Sequence, residues 1–314
     1  MALSGPPTVV ALRALGLGDL LTAVPALRAL ARAYPAHRLL LAAPAPLAPL
    51  VRLTGWRLAP ASELARLPRE LRAPDVGVNL HGRGPQSHRV LAAAQPGRAI
   101  WFEHADVPES RGSPIWRRDE HEVRRWCRLL RESGIDAQPS DLLLEPPSGP
   151  PPGAAAGATL IHPGAASAAR RWPAQHFAAV ARAEAAAGRR VVITGSRAER
   201  PLASAVAAAA GLPPDSVLAG LTDLAALARA VAAAGRVVCG DTGVAHLATA
   251  FGTPSLLLFG PTSPAEWGPP PGCPRHRVLW AGEVGDPHAD VPDPGLLELG
   301  VGQVLDAMVQ LDPR

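Results

Sequence analysis

The sequence predicts an α/β protein made of two doubly wound halves, each an open, mostly parallel sheet with helices between its strands. Three observations predict it. Short apolar runs alternate with stretches of helical period along the chain. The alternation stops at a proline-rich stretch, Glu145-Pro-Pro-Ser-Gly-Pro-Pro-Pro-Gly153, and starts afresh beyond it. At 314 residues the chain also exceeds the usual size of a single core, so two domains of about 150 residues are expected.

In the first half (residues 1–146), an apolar run at 8–12 reads as a strand. It leads through Leu15-Gly-Leu-Gly-Asp19 into a helix with Leu20, Val24, Leu27, Ala31 and Tyr34 on one face. Pro25 inside that pattern predicts a kink or an irregular first turn. Residues 39–43, 76–80 and 98–102 are the next strands. Residues 147–157 read as a stiff, extended linker. In the second half (158–300), strands are expected at 159–161, 190–194, 237–239 and 253–262. Helices are expected from Pro173 to Gly188 and over 202–210 and 224–233. A short amphipathic helix over 303–311 closes the chain within a final segment, 301–314.

Composition bounds the function. The chain is 47% hydrophobic and 4% aromatic, which describes a soluble protein with a core of Ala, Leu and Val. All 31 basic residues are arginine, so any task usual for lysine falls to a planar guanidinium fork. A net charge of +4 comes without zinc spacing, aromatic interleaving or a long basic run, and this argues against nucleic acid as a partner. The densest basic stretch, 111–131, alternates with Asp119, Glu120, Glu122, Val123, Trp126 and Leu130. It reads as an amphipathic helix with a solvated charged face; the sharper reading is a contact for an anionic acceptor or a membrane surface. Cys127, Cys239 and Cys273 form no CxxC pair or disulfide framework, which fits a reducing cytoplasm. Residues 1–10 lack the marks of a signal peptide, and the uncharged stretch 242–265 is broken by glycines, prolines and His246. The expectation is a cytoplasmic protein, at most peripheral to the cytoplasmic membrane.

Five segments carry candidate chemistry. Gly16-Leu-Gly18-Asp19 fails as a dinucleotide fingerprint, because GxGxxG would need glycine at Leu21. Asp19 reads there as a helix cap, or as a carboxylate able to take a proton from an attacking hydroxyl. His81-Gly-Arg83-Gly-Pro-Gln86-Ser-His88 lies at a strand end and reads equally as a lining for an acceptor or as a solvated loop. His162-Pro-Gly-Ala-Ala-Ser-Ala-Ala-Arg170-Arg171-Trp172-Pro173 combines small residues with two forks suited to phosphate. Glu199, after Gly195-Ser196, reads as a carboxylate for the ribose hydroxyls or as a dipole-favoured acid in a first helical turn. In Gly240-Asp241-Thr242-Gly243-Val-Ala-His246, a strand stops at a turn and a helix starts at once. The free N–H groups of that helix end make an anion site, although Asp241 and Thr242 also suit capping.

With these segments in order, the chain resembles glycosyltransferase family 9, the ADP-heptose:lipopolysaccharide heptosyltransferase family, from Leu12 to about Trp267. The most specific pieces are Gly18-Asp19 before Leu-Leu-Thr-Ala-Val-Pro-Ala-Leu, the His162 to Pro173 block, and Asp241 to His246 with Phe259-Gly-Pro-Thr262. The resemblance implies a GT-B fold: two Rossmann-like domains facing across a cleft, the C-terminal one holding the nucleotide-sugar donor. It implies that the last helix can pack back on the N-terminal domain. It also implies inverting, metal-independent sugar transfer with no cofactor beyond the donor, an ADP-linked heptose. Asp19 matches the catalytic base, and Arg170 stands where the family has a phosphate-binding lysine. Arg171, Glu199, Asp241, Thr242, Gly243 and His246 fall to the donor, and Gly18, His81, Arg83 and Gln86 to the acceptor side. The acceptor is a glycan, a glycolipid or a small metabolite. Two other readings keep the fold: a non-hydrolysing nucleotide-sugar epimerase, or a catalytically silent nucleotide-sugar- or glycan-binding protein.

Overall fold

Continuous apolar runs form the strands, because both faces of a parallel sheet are covered by helices. The computed structural model describes residues 6–62 and 64–311. Residues 1–5 of the segment read for a leader, and 312–314 of the C-terminal segment, lie outside the described residues. Contacts divide the chain into two units, Met1–Leu142 and Leu143–Arg314.

The first unit is built on β1 (Thr8–Leu12), β2 (Arg38–Ala43), β3 (Arg57–Pro60), β4 (Val76–Asn79) and β5 (Arg98–Ile100). Among the described residues they form one five-stranded sheet of order β3-β2-β1-β4-β5, parallel throughout. Its helices are α1 (Leu17–Thr22), α2 (Val24–Ala33), α3 (Ala48–Leu53), α4 (Gln86–Ala92) and α5 (Glu122–Glu132). The irregularity expected at Pro25 is a break between α1 and α2: Ala23 ends one helix and precedes the other, with Pro25 in the first turn of α2, where its missing N–H costs nothing. Val10, Leu12, Leu40, Ala42, Leu91 and Trp101 share one core.

The second unit repeats the plan with β6 (Thr159–His162), β7 (Val191–Ile193), β8 (Arg236–Gly240), β9 (Ser255–Leu258) and β10 (His276–Leu279). Their order is β10-β9-β8-β6-β7, again parallel throughout. The helices are α6 (Ala174–Ala186), α7 (Arg200–Ala210), α8 (Leu224–Ala233), α9 (Gly243–Phe251), α10 (Pro264–Trp267), α11 (Pro294–Leu297) and α12 (Val301–Val309). The strands absent from the sequence reading, β3 and β10, are sheet edges. Their residues are largely half-exposed or exposed, so no apolar run marks them.

Two segments pack in ways the sequence does not announce, and one expectation needs correction. Helix α12 buries Val304, Ala307 and Met308 in the C-terminal core with Phe177, Val180 and Leu256. Its apolar stripe is already satisfied there, beside α6. The chain around the proline-rich stretch is tied to the rest of the C-terminal unit. Leu144 donates its N–H to Ala250, Arg229 Nε donates to the Pro150 carbonyl at 2.9 Å, and Ala155 is fully buried. Finally, the solvated charged face expected of α5 needs correction: Arg124, Arg131 and Glu132 are exposed, but other charges of the helix are not. Glu122, Arg125 and Arg128 are all buried, because each charge finds an opposite partner and an aromatic surface. Arg125 lies 4.3 Å over the Trp116 ring and Arg128 lies 5.2 Å over Phe102. Among the described residues no helix is long and apolar enough to cross a membrane.

Candidate active site

In each sheet the strand order reverses once, between β1 and β4 in the first and between β6 and β8 in the second. At such a switch point the two following loops leave in opposite directions and open a crevice beyond the strand ends. The candidate motifs occupy these positions: the Asp19 and His81 loops follow β1 and β4, while the His162 and Asp241 loops follow β6 and β8.

In the first unit, Gly16 is the residue that caps α1, and Asp19 stands three residues on. Its Oδ2 accepts the Gly16 N–H at 3.2 Å, so Asp19 serves the helix start as the reciprocal half of a capping arrangement, not as the cap itself. The carboxylate keeps 27% exposure. Gly18 lies inside the same short helix. His81 Nδ1 accepts the Ala14 N–H at 3.2 Å, which ties the β4 loop to the β1 loop. Burial pushes the His81 pKa down, the Arg13 charge adds to this, and Asp19 opposes it, so the ring is biased toward its neutral form. Arg83 lies further along that loop and Gln86 opens α4, and both are exposed. His88, at the end of the same motif, belongs to the core: its ring meets Asn79 Nδ2 at 3.0 Å and the Phe102 carbonyl at 2.6 Å. Gly84, with φ +86°, passes so close to His88 that a Cβ there would come within 2.4 Å of Nδ1.

The sequence reading passed over Arg13. Its side chain is 1% exposed, and its donors reach Asp19, Thr22, Leu80 and Glu122. The signal was present as a charge ending an otherwise apolar strand, but nothing nearby in sequence announces its main counter-charge, Glu122. Burial works to raise the Glu122 carboxyl, and the Arg13 and Arg125 charges overcome that, holding it below the ordinary carboxylate range.

In the second unit, β6 delivers His162 beside Thr194, with Nδ1 3.1 Å from the hydroxyl. Burial lowers the His162 pKa, and Glu199 works against the shift. Glu199 Oε2 accepts the Ser196 N–H at 2.8 Å, and its carboxylate lies over Gly164, where any Cβ would come within 2.1 Å of Oε1. A side chain at position 164 would displace that carboxylate. Arg170 turns toward the β8 loop: NH1 donates to the Asp241 carbonyl at 3.4 Å and lies 3.9 Å from its carboxylate. Gly240 permits this, since a Cβ there would meet the Arg170 carbonyl at 2.9 Å. Arg171 points elsewhere, with Nε and NH2 both donating to the Ala165 carbonyl at 3.0 and 2.8 Å. Thr242 caps α9, its hydroxyl accepting the Val244 N–H at 3.2 Å. One turn on, the half-buried His246 meets Trp267 edge-on at 6.1 Å.

The structure thus joins Gly18, Asp19 and His81 in one unit, and Arg170, Asp241, Thr242 and Gly243 in the other, with Glu199 and His162 one strand along. Arg171 is spent on its own loop. Among the described residues no three His, Cys, Asp or Glu side chains converge as a metal-binding group.

Comparison with known proteins adds a family. The model of glycosyltransferase family 9 (heptosyltransferase) matches residues 100–290. A lipooligosaccharide heptosyltransferase 2 from Haemophilus influenzae is 35% identical over 107 residues, 32% of this chain. That match spans only 30% of the relative's length. Among solved structures, the E. coli ADP-heptose lps heptosyltransferase II aligns with a TM-score of 0.74 at 22% identity, covering 96% of this chain and 97% of the other. A family 9 glycosyl transferase from Veillonella parvula aligns at 0.79 and 20% identity, covering 99% of each chain. At these identities the likeness is one of fold, two doubly wound units of the GT-B type.

Proposed function

We infer that this chain, which belongs to glycosyltransferase family 9 (heptosyltransferase), transfers heptose from an ADP-linked donor to a hydroxyl of a glycan or glycolipid, with inversion and without a metal cofactor. The donor is inferred from relatives whose names carry ADP-heptose and lipopolysaccharide. One observation carries the reading: a single basic group, Arg170, is held against the Gly240-Asp241-Thr242 turn at the start of α9.

The chemistry follows from charge. As the donor's bond from anomeric carbon to phosphate oxygen breaks, its electron pair stays with the diphosphate. Arg170 and the N–H groups of Thr242 and Gly243, at the positive end of α9, answer that charge as it grows. Val244 and Ala245 are already engaged by Thr242, so the two residues before them supply the remaining donors. The acceptor hydroxyl gives its proton to Asp19 while its oxygen forms the new bond on the opposite face. Glu199 is suited to the ribose hydroxyls, and His246 to the sugar or diphosphate. His81, Arg83 and Gln86 fall to the acceptor. A lipopolysaccharide acceptor would bring the enzyme to the inner membrane face as a peripheral protein.

The test is a thermal-shift comparison of ADP, UDP, GDP and CDP, then of ADP-heptose. A ligand at 100 times its dissociation constant adds about 2.7 kcal/mol of stability. ADP and ADP-heptose should stabilise most, and transfer to a heptose-deficient lipopolysaccharide should proceed in EDTA. Equal response to all four nucleotides would remove the donor assignment. Rescue of an EDTA-treated enzyme by added metal would remove the metal-free mechanism, and sugar inversion without any acceptor would indicate an epimerase.

A further inference from the structure

We propose that Arg13 is the positioning residue for the Asp19 carboxylate, and that Glu122 and Trp126 hold Arg13 for that task. The proposal rests on the reading of Asp19 as the base. Arg13 follows β1 directly, and its buried fork distributes its donors over several elements. Nε donates to the Asp19 carbonyl and NH1 to the Leu80 carbonyl at the end of β4. NH2 reaches Thr22 Oγ1 at 3.1 Å, Glu122 Oε1 at 3.0 Å and, at a longer 3.4 Å, Asp19 Oδ1. One rigid guanidinium thus holds the main chain and the side chain of the same residue, and ties that short helix to the neighbouring strand. A lysine ammonium has neither the donors nor the fixed plane to do this.

The rest of the cluster fixes the fork. The Trp126 ring lies 4.8 Å from the Arg13 guanidinium carbon, and its Nε1 donates to the same Glu122 Oε1 at 2.9 Å. Arg125 binds the other Glu122 oxygen. Glu122 therefore takes the closer ionic contact of Arg13 and leaves Asp19 the longer one. The Asp19 carboxylate is oriented from two sides, Oδ2 by the Gly16 N–H and Oδ1 by Arg13, without being closed into a bidentate pair. A base so held keeps lone pairs for an incoming hydroxyl. The charged and titratable groups facing it are Arg13 from the end of β1, His81 from the β4 loop and, behind Arg13, Glu122 on α5.

A double-mutant cycle tests this, with turnover read as ADP released from ADP-heptose, using heptose-deficient lipopolysaccharide or water as acceptor. Misplacement by about 1 Å can cost about 100-fold in rate. Arg13→Lys should lower kcat about 30- to 100-fold with donor KM within about twofold, and Glu122→Gln about 10-fold. In an Asp19→Asn background neither should lower the residual rate further, because a residue acting only through a carboxylate has no effect once it is gone. The same loss in both backgrounds, or an unchanged kcat in Arg13→Lys, overturns the proposal. If Arg13→Lys does not fold, Trp126→Phe keeps an aromatic face but drops the donor to Glu122, and should give a smaller loss of the same pattern. Amide exchange over residues 16–22 should quicken in these variants, and unchanged exchange overturns the proposal whatever the acceptor. Parental turnover in Asp19→Asn overturns the base reading and this proposal together. Loss in Asp19→Asn beside unchanged Arg13→Lys overturns this proposal alone.

Discussion

Two Gly-Asp pairs stand at the switch points of two sheets of similar topology, and they have opposite surroundings. Asp19 sits inside the first turn of a short helix, 27% exposed, its carboxylate touched by one backbone N–H and by a distant edge of Arg13. Asp241 precedes the cap of a longer helix, is 8% exposed, and has Arg170 beside both its carbonyl and its carboxylate. One acid is partly open to solvent; the other is enclosed beside a cation. The two turns differ in the cation behind them. Where the guanidinium is buried and shared with Glu122, the carboxylate is presented. Where the guanidinium is itself half-open, the cation is presented.

The largest expected effect breaks that contrast directly. Asp19→Asn should lower turnover by about 100- to 10,000-fold, the range for a positioned general base, with ADP-heptose affinity by calorimetry unchanged. Asp241→Asn should not reproduce that division. If it does, and Asp19→Asn retains turnover, the two roles are reversed. Next, Arg170→Ala should weaken donor binding and slow transfer together, by about 100-fold in kcat/KM, since a phosphate contact and leaving-group stabilisation disappear at once. Unaltered donor affinity would shift the contact to another group. Arg171 is a poor substitute, because both its donors already hold Ala165.

A smaller effect separates capping from chemistry at the second turn. Thr242→Ala removes the cap on α9 and should cost about 1 kcal/mol of stability in denaturant unfolding, whereas Thr242→Ser should keep it. Equal stability of the two would mean that the hydroxyl serves only the ligand.

The smallest effect concerns the histidines at the two switch points, His81 and His162, both shifted below the ordinary imidazole value of 6.5 chiefly by burial. As pH falls below 6.5 the unfolded chain takes up protons that these rings resist, so the unfolded state binds more protons and stability declines. Above that value the rings are neutral in both states and contribute no slope. His162→Gln should therefore flatten the fall of the melting temperature between about pH 7 and 5, and His81→Gln should flatten it less. An unchanged slope in both would place the acid sensitivity in other groups, first His88 and His276, whose pKa values burial also lowers.

Much of this was legible along the chain. The apolar runs at β1, β4, β6, β8 and β9 are buried on both faces and carry their own signature, and Gly, Pro and Thr242 mark the turns that follow. Edge strands β3 and β10 were not, since half-exposed residues lack that signature. At the site, Asp19, Arg170 and the Asp241 turn could be singled out because their neighbours in sequence are glycines and small residues. Arg13 could not, and neither could the burial of Arg125 and Arg128, whose run of charges looked like a wet helix face.

The sequence by itself determined the two α/β units, the position of their switch-point loops and the residue types those loops present. Periodicity and turn chemistry are local, so a few neighbours suffice to specify them. Only the tertiary structure decided which charges are buried and who neutralises them. Arg13 meets Glu122 across 109 residues of chain, and Arg170 meets Asp241 across 71. A charge is tolerated in an interior only beside its partner, and the fold, not the neighbouring residues, brings that partner.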